Sequence, residues 1–521
     1  MQRKTKVKKP TLNQNKSDVV NELQKRYFDD DNNFIDYFIE VGVKPEIFKN
    51  KNLYEEDDPE EINQYLVPQI ITKFPNFDKK TVVIEPSMIN QIFPHGFQLT
   101  ESEEKPESNF YCLVLDNQLY SAIYKTKYLA CLIIYESIEN YKKLYDISQK
   151  DDEKFLSLLK NINIKSSDKK DNKSYKYKNF YIPKCLCIVS VHPYIDKFEE
   201  ILRTIYDISI NDNYSNNIFI DQIIEKLIIE TPKIPRGLRR IVLKFPNNEI
   251  ELTDTKMNEY PSVNVNLAYT FDVLSCSNII EIYKYLLYET KLIFFSEDLY
   301  KLTNIILSFL FLLTPFNYQF QIVSILSKEF YNFIETISPF IFGINEKYNE
   351  DFFTKHKINI EDTTICIIDI DNDNYFMIAP GGVLNQKEYP EIPKKLRKKL
   401  EEKIKSYLLN RKKKKSVDNC FILNQIDIES TIQRSVTYKN NNLINIIGNL
   451  TNYNSNNTNE TFLTKKISKK KSINKEKNSD NKEIQKIFSK FMISLLKDYP
   501  KFLTKDYSVN KDISQSIKDI Q

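Results

Sequence analysis

The chain has 521 residues, 41% of them hydrophobic and 13% aromatic, which is enough apolar surface for about two to four domains with real cores and too much for a chain disordered throughout. Its 75 Lys and Arg nearly cancel its 71 Asp and Glu, leaving +4, so no global field directs it to nucleic acid. Seven scattered cysteines contain no C-x-x-C pair and His95, His192 and His356 stand far apart, so the spacing offers no zinc site and fits a reducing, cytosolic compartment.

Residues 1–32 read as a polar, disordered tail whose basic start, "MQRKTKVKKPTLNQNKSD", lacks the apolar run of a secretory signal. A first α+β lobe is expected over 33–161. It opens on the apolar run Phe34, Ile35, Tyr37, Phe38 and Ile39, and continues with three strands, Phe110–Leu115, Leu119–Tyr124 and Tyr128–Tyr135. The two or three polar residues between these strands predict antiparallel neighbours, and a helix is expected from Ser137. The charged, aperiodic segment 162–178 reads as a linker.

A second, α/β lobe is expected over 179–392, opening on the strand "CLCIVSV". Amphipathic helices follow at "DKFEEILRTIYDI", with Phe198, Ile201, Leu202 and Ile205 on one face, at "FIDQIIEKLIIE", and at "IIEIYKYLLYE". From Leu302 to Ser327 no residue is charged, which raises the question of a membrane span. Strand Lys291–Phe295 is followed by Ser296, an N-cap type, with Glu297 and Asp298 in the first turn, and the helix is expected to stop at Thr314-Pro315. Such a helix is about 22 Å long, short of the roughly 30 Å of a hydrocarbon core. With the strand Phe320–Leu326 it makes a βαβ unit in a buried parallel sheet, and Thr363–Asp371 adds a strand.

Residues 393–415 form a basic amphipathic helix with Leu396, Leu400, Ile404 and Leu408 every four residues. The Asn/Lys-rich stretch 416–481 reads as a low-complexity insertion. Over 482–510, Ile487, Phe488, Phe491, Met492, Leu495 and Leu496 recur at helical spacing, and a lone apolar helix needs a partner, most simply the α/β lobe. Residues 511–521 are a tail.

Catalytic signatures are scarce. The seven glycines make no G-x-G-x-x-G, P-loop or G-x-S-x-G, and Gly381-Gly382 is an isolated loop pair. His192 in "SVHPYID" and His95 in "FPHGF" read as turn residues rather than general bases. "IIDIDNDN" carries D-x-D-x-D at a strand end, but Asn374 and Pro380 occupy the places where a calcium loop needs Gly and Glu. A D-x-D phosphotransfer site lacks its usual Thr or Val, since Asp373 stands there. A solvated turn is the plainer reading, and metal-dependent phosphotransfer through Asp369 and Asp371 the remote one. Arg411, Lys412, Lys413, Lys414 and Lys415 form either a solvated face or a patch for anionic lipid, worth about 1 kcal/mol per basic residue near a surface. No aromatic residue interleaves the run to stack a base.

The order of segments resembles the tripartite DENN module. "FIDYFIEVGV", "ITKFPNFD", "IFPHGFQLT" and "FYCLVLD…YLACLIIYE" carry its first part. "YIPKCLCIVSVHPYIDKFEEIL", "LLYETKLIFFSEDLYKLT", "LLTPFNYQFQIVSIL", "ISPFIFGI" and "IIDIDND" carry the central part, and "IFSKFMISLLKDYPKFL" the last. The family usually has two basic residues after the Glu of "LLYE", where Thr290 and Lys291 stand here. The resemblance implies a longin-like lobe, an antiparallel sheet with helices, and a second three-layer α/β lobe with a mostly parallel sheet finished by C-terminal helices. It implies a guanine nucleotide exchange factor that binds a Rab GTPase across both lobes and changes no covalent bond. No cofactor and no metal are then needed. The protein would be cytoplasmic and recruited peripherally to membranes. Contact positions implied this way are Glu289, Ser296, Asp298, Asp369 and Asp371, although Ser296 and Asp298 could equally cap their helix and Glu289 anchor its turn. A DENN-like scaffold without exchange activity is the alternative.

Overall fold

The structure, a computed structural model, describes residues 33–43, 67–76, 87–97, 100–115, 127–137, 179–210, 217–234, 237, 240–246, 248–254, 264–360, 363–379, 391–413 and 479–497. The chain divides into two compact units. The first takes in residues 1–264, 293–306 and 320–363, and the second 265–292, 307–319 and 364–521. The division passes through one strand and one helix of the central segment.

In the first unit, β1 (Tyr37–Gly42), β2 (Gln69–Phe74), β4 (Asn109–Leu115), β5 (Lys127–Ser137) and β6 (Asn179–Ser190) form an antiparallel sheet in the order β4–β5–β6–β1–β2, and β3 (Thr100–Ser102) pairs with β6. β5 and β6 run in register from Tyr128 opposite Ser190 to Ser137 opposite Tyr181. The segment expected to open the α/β lobe is thus the middle strand of the antiparallel sheet. Its continuous apolar run reports burial on both faces and is silent about which neighbours provide it. β4 pairs directly with β5. The strand expected at Leu119–Tyr124 and the helix from Ser137 onward fall outside the described residues, as do the linker 162–178 and the insertion up to residue 478.

Helix α1 (Ser87–Ile92) precedes β3, and helix α2 (Ile195–Ser209) follows β6. α2 buries Ile195, Phe198, Ile201, Leu202, Ile205 and Ile208, the three-and-four spacing that makes one face of a helix apolar. Each such side chain contributes about 1.5–3 kcal/mol on burial, and Phe198 meets Phe34 with ring centroids 5.3 Å apart. Helix α3 (Asn217–Glu225) runs into a π-turn at Lys226–Glu230, and β7 (Ile241–Lys244) pairs with β8 (Glu249–Leu252) as a separate hairpin.

The central segment adds α4 (Leu267–Val273), α5 (Cys276–Leu287), β9 (Lys291–Phe295), α6 (Leu299–Leu312), β10 (Gln321–Val323), β11 (Phe340–Ile344) and the short helix α7 (Phe352–Lys355). Within the first unit, β11 lies between β9 and β10, so the two strands of the expected βαβ unit are not immediate neighbours. β10 pairs with β11 in parallel and with β4 antiparallel, giving a mixed sheet. α6 has 14 residues, about 21 Å, and is buried from Leu302 to Phe309. No helix among the described residues is long and apolar enough to cross a membrane.

The start of α6 differs from expectation by two residues. The cap is Asp298, whose Oδ1 accepts from the Lys301 amide at 2.9 Å and whose carbonyl accepts from Leu302. Ser296 is fully buried. Its amide donates to the Ile344 carbonyl and its hydroxyl accepts from the Asp298 amide, so β11 has claimed the residue that local sequence offers as a cap.

The second unit contains α4 and α5, the hairpin β12 (Ile365–Asp369) and β13 (Asn374–Ile378), helix α8 (394–413) and helix α9 (479–496). The chain is already helical at residue 479, three residues before the expected 482 and inside the segment assigned to the insertion. Asn481 supplies the reason: its Oδ1 accepts from the Leu267 amide and its Nδ2 donates to the Val265 carbonyl, docking the first turn of α9 onto the start of α4. Further along, Phe488 stands edge-on to Tyr283 at 5.1 Å and to Phe271 at 6.2 Å, and Phe271 also meets Tyr407 of α8. The partner that the lone C-terminal helix requires is therefore α4 and α5.

Candidate functional site

Glu289 sits one residue past the C-cap of α5 at φ 53. Its amide donates to Leu286 O and the Thr290 amide to Tyr285 O, the pair of bonds that closes a helix with a left-handed residue. Glycine takes that conformation without strain, whereas a residue with a side chain pays of order 1 kcal/mol. Glu289 is exposed, so packing does not compensate it.

Asp298 is exposed and caps α6; Ser296 lies buried beneath it, where the Asn345 side chain donates to the carbonyls of both Ser296 and Glu297 at 2.9 Å. Ser296 therefore supports the corner and presents no surface of its own. Asp369 is likewise buried, accepting from the Asn372 amide and side chain. Asp371 is exposed at the tip of the same turn. Asp373, at φ 47, accepts from the Ser275 amide and from the Asn278 side chain at 2.9 Å, tying the turn to the first turn of α5. Asp369 and Asp373 thus spend their carboxylates on local hydrogen bonds, which is the chemistry of a turn. Among the described residues the group of three side chains placed to hold a metal ion is Cys131, Cys185 and Cys187, not the acidic run.

Those three thiols lie together within the antiparallel sheet, all inaccessible to solvent. Cys187 approaches Cys185 at 3.4 Å and Cys131 at 3.9 Å. Burial pushes the Cys131 and Cys185 thiols up; it opposes ionisation of Cys187 as well, but the contacts with Cys131 and Cys185 outweigh it and lower that thiol. Among the described residues no cationic group acts on them, so they behave as small apolar groups. Iodoacetamide at neutral pH is expected to leave Cys131, Cys185, Cys187 and the equally buried Cys112 and Cys366 unmodified in the folded chain and to alkylate all five in urea; peptide mass mapping reads both states. Rapid native labelling of Cys187 would show that the sheet opens.

A second buried polar group lies on α5. Glu281 and Lys284 are buried one turn apart and paired at 2.7 Å; Lys284 also meets Glu391 at 3.0 Å, Arg397 pairs with Glu281, and Glu401 with Arg397 at 3.2 Å. Burial works against the Lys284 charge, but Glu281 and Glu391 outweigh it and hold its pKa above the ordinary lysine value. Where the family pattern has basic residues after "LLYE", Lys291 is buried at the start of β9, and desolvation lowers its pKa.

The proposed membrane patch divides. Arg411 is committed to the fold: its guanidinium pairs with Asp272 of α4 and, at 2.9 Å, with Asp480 of α9. Lys412 and Lys413 are exposed, and Lys414 and Lys415 lie outside the described residues. Sequence reasoning missed the role of Arg411 because its partners stand more than a hundred residues before it and sixty-nine after it. The only local signal was its position seven residues after Ile404, on the buried stripe.

Residues 181–373 match the family model of the DENN (AEX-3) domain. The matched span begins within β6 and ends at Asp373, so it includes Glu289, Asp298 and Asp371.

Proposed function

We propose, from the match of residues 181–373 to the DENN (AEX-3) domain, that the chain is a guanine nucleotide exchange factor that promotes GDP release from a Rab GTPase in membrane trafficking. The supporting observation within the domain is Glu289. An exposed acidic residue kept in a conformation that suits glycine is held for something other than stability. Asp298 and Asp371, exposed at the ends of α6 and β12, join it as contact residues, while Ser296 and Asp369 act from beneath as supports.

The mechanism is differential binding. A protein that grips the nucleotide-free GTPase more tightly than the loaded one weakens nucleotide binding by the same factor. Accelerating release by about 10⁵ takes roughly 7 kcal/mol at about 1.4 kcal/mol per tenfold, which requires several buried anchors rather than one residue. The protein works in the cytoplasm at a membrane surface, and the exposed Lys412 and Lys413 add modest attraction to anionic lipid.

The test is release of fluorescent GDP from a panel of purified Rab GTPases. At least one member is expected to lose nucleotide faster and to bind more tightly when emptied. Glu289→Gly is expected to raise the melting temperature slightly, by relieving the left-handed strain, while lowering the exchange rate at least tenfold. Asp298→Asn, which keeps the helix cap and removes the charge, is expected to slow exchange without loss of stability. A panel in which emptied GTPase binds but release is unchanged would leave a scaffold, and a panel with neither binding nor release would end the reading.

A further inference from the structure

Helices α8 and α9 enclose a groove of about 630 Å³ within the second unit. Its apolar floor is Leu396, Leu400, Tyr407, Ile487 and Phe491, and its walls carry Lys399, Lys403, Lys482, Lys486 and Lys490 against one acid, Glu483. The lysines are all exposed and recur every four residues on each helix, so each wall presents a basic stripe along its own axis. The Tyr407 hydroxyl is buried with no hydrogen-bond partner among the described residues.

A merely solvated basic face needs no apolar floor, and here Leu400, Tyr407 and Phe491 are buried along the cleft while Leu396 and Ile487 stay half-buried in its lining. We propose that this groove is a docking site for an acidic amphipathic helix of a protein partner. Such a helix lays its apolar stripe on the floor, with its Asp and Glu flanks against the two lysine walls. A bilayer is the less suitable occupant, because a flat surface cannot meet charges on two facing walls of a cleft and its floor together. A second copy of the same surface would bring lysine against lysine. This site is independent of the GTPase reading: none of its residues is among the proposed contacts.

The test uses the full chain and a fluorescent helical peptide of about four turns, with leucine along one stripe and glutamate on both flanks. Comparators are the same peptide with lysine for glutamate, a scrambled peptide, and phosphatidylcholine vesicles containing phosphatidylserine. Fluorescence anisotropy is expected to show saturable binding of the glutamate peptide only, weakening as salt rises from about 50 to 300 mM, as screening of rim charges requires. Lys486→Glu/Lys490→Glu, both exposed changes, should keep the circular dichroism spectrum and lower affinity at least tenfold. Equal binding of the scrambled peptide, or no effect of the double charge reversal, overturns the proposal. Loss of vesicle binding in that variant without any peptide binding assigns the groove to lipid instead, and a concentration-dependent dimer that the variant abolishes assigns it to a second copy.

Discussion

Gly343→Ala is expected to cost about 3–5 kcal/mol, among the largest effects a single methyl group can have. A Cβ at this position would lie 2.0 Å from the Ser324 carbonyl oxygen and 2.8 Å from Ile306 Cδ1. The isoleucine end can rotate away. The carbonyl cannot, because the chain around it is held from both sides: the Ser324 hydroxyl accepts from the Val114 amide at 2.9 Å, and the Leu326 amide donates to Gly343 O at 2.7 Å. Relief therefore requires β10 to move as a strand, breaking its pairing with β4 and β11. Gly42 provides the control. A Cβ there meets Ile71 Cδ1 at 3.0 Å and Lys184 Cγ at 3.6 Å, both parts of flexible side chains, so Gly42→Ala should change stability by less than about 1 kcal/mol. Urea denaturation of the two variants reads the contrast, and equal midpoints would mean that β10 is free to shift.

Helical periodicity carried most of what could be read in advance. The stripe Phe198, Ile201, Leu202 and Ile205 is buried as its spacing demands, and Phe488, Phe491 and Met492 of α9 are buried as well. A helix closes its hydrogen bonds locally, so its pattern names its own buried face. Strand partners are a different matter. Cys185–Ser190 and Leu129–Ile134 are each legible as strands, but their register is set by a contact between segments some fifty residues apart. Nothing local in "CLCIVSV" separates the middle of an antiparallel sheet from the start of a parallel one.

The candidate site shows the same boundary on a smaller scale. Ser296 and Asp298 rank equally as caps, and the choice between them is made by β11, which takes Ser296 and leaves Asp298 to cap α6. Glu289, Asp298 and Asp371 reach solvent, while Ser296 and Asp369 do not, a distinction that depends on how each chain end turns. Charge patterning was misleading in one respect. Arg411 looks like the first residue of a basic run, but its two acidic partners come from α4 and α9, and only the folded chain brings them to it.

Glu281→Leu is expected to lose about 3 kcal/mol, the low end of the range for stripping one partner from a buried ion pair. The variant leaves the Lys284 ammonium buried, with the largely exposed Glu391 and the Tyr285 ring face beside it, and Arg397 with Glu391 and Glu401. The double variant Glu281→Leu/Lys284→Met removes both buried charges and should be more stable than Glu281→Leu alone, since apolar groups of similar volume escape the desolvation cost. Two single losses that simply add would show that the charges do not interact. The pH dependence follows from the raised pKa of Lys284. A base whose folded pKa lies above its unfolded value, about 10.4, contributes its full stability below that value and loses it as pH rises through the folded pKa. The wild-type contribution should therefore be constant from neutral pH to about 10 and fade above it. In Glu281→Leu, with the main attraction gone and burial still opposing the charge, the decline should begin at lower pH. Denaturation midpoints taken between about pH 7 and 11 separate the two curves, and superimposable profiles would remove Glu281 as the residue that keeps Lys284 charged.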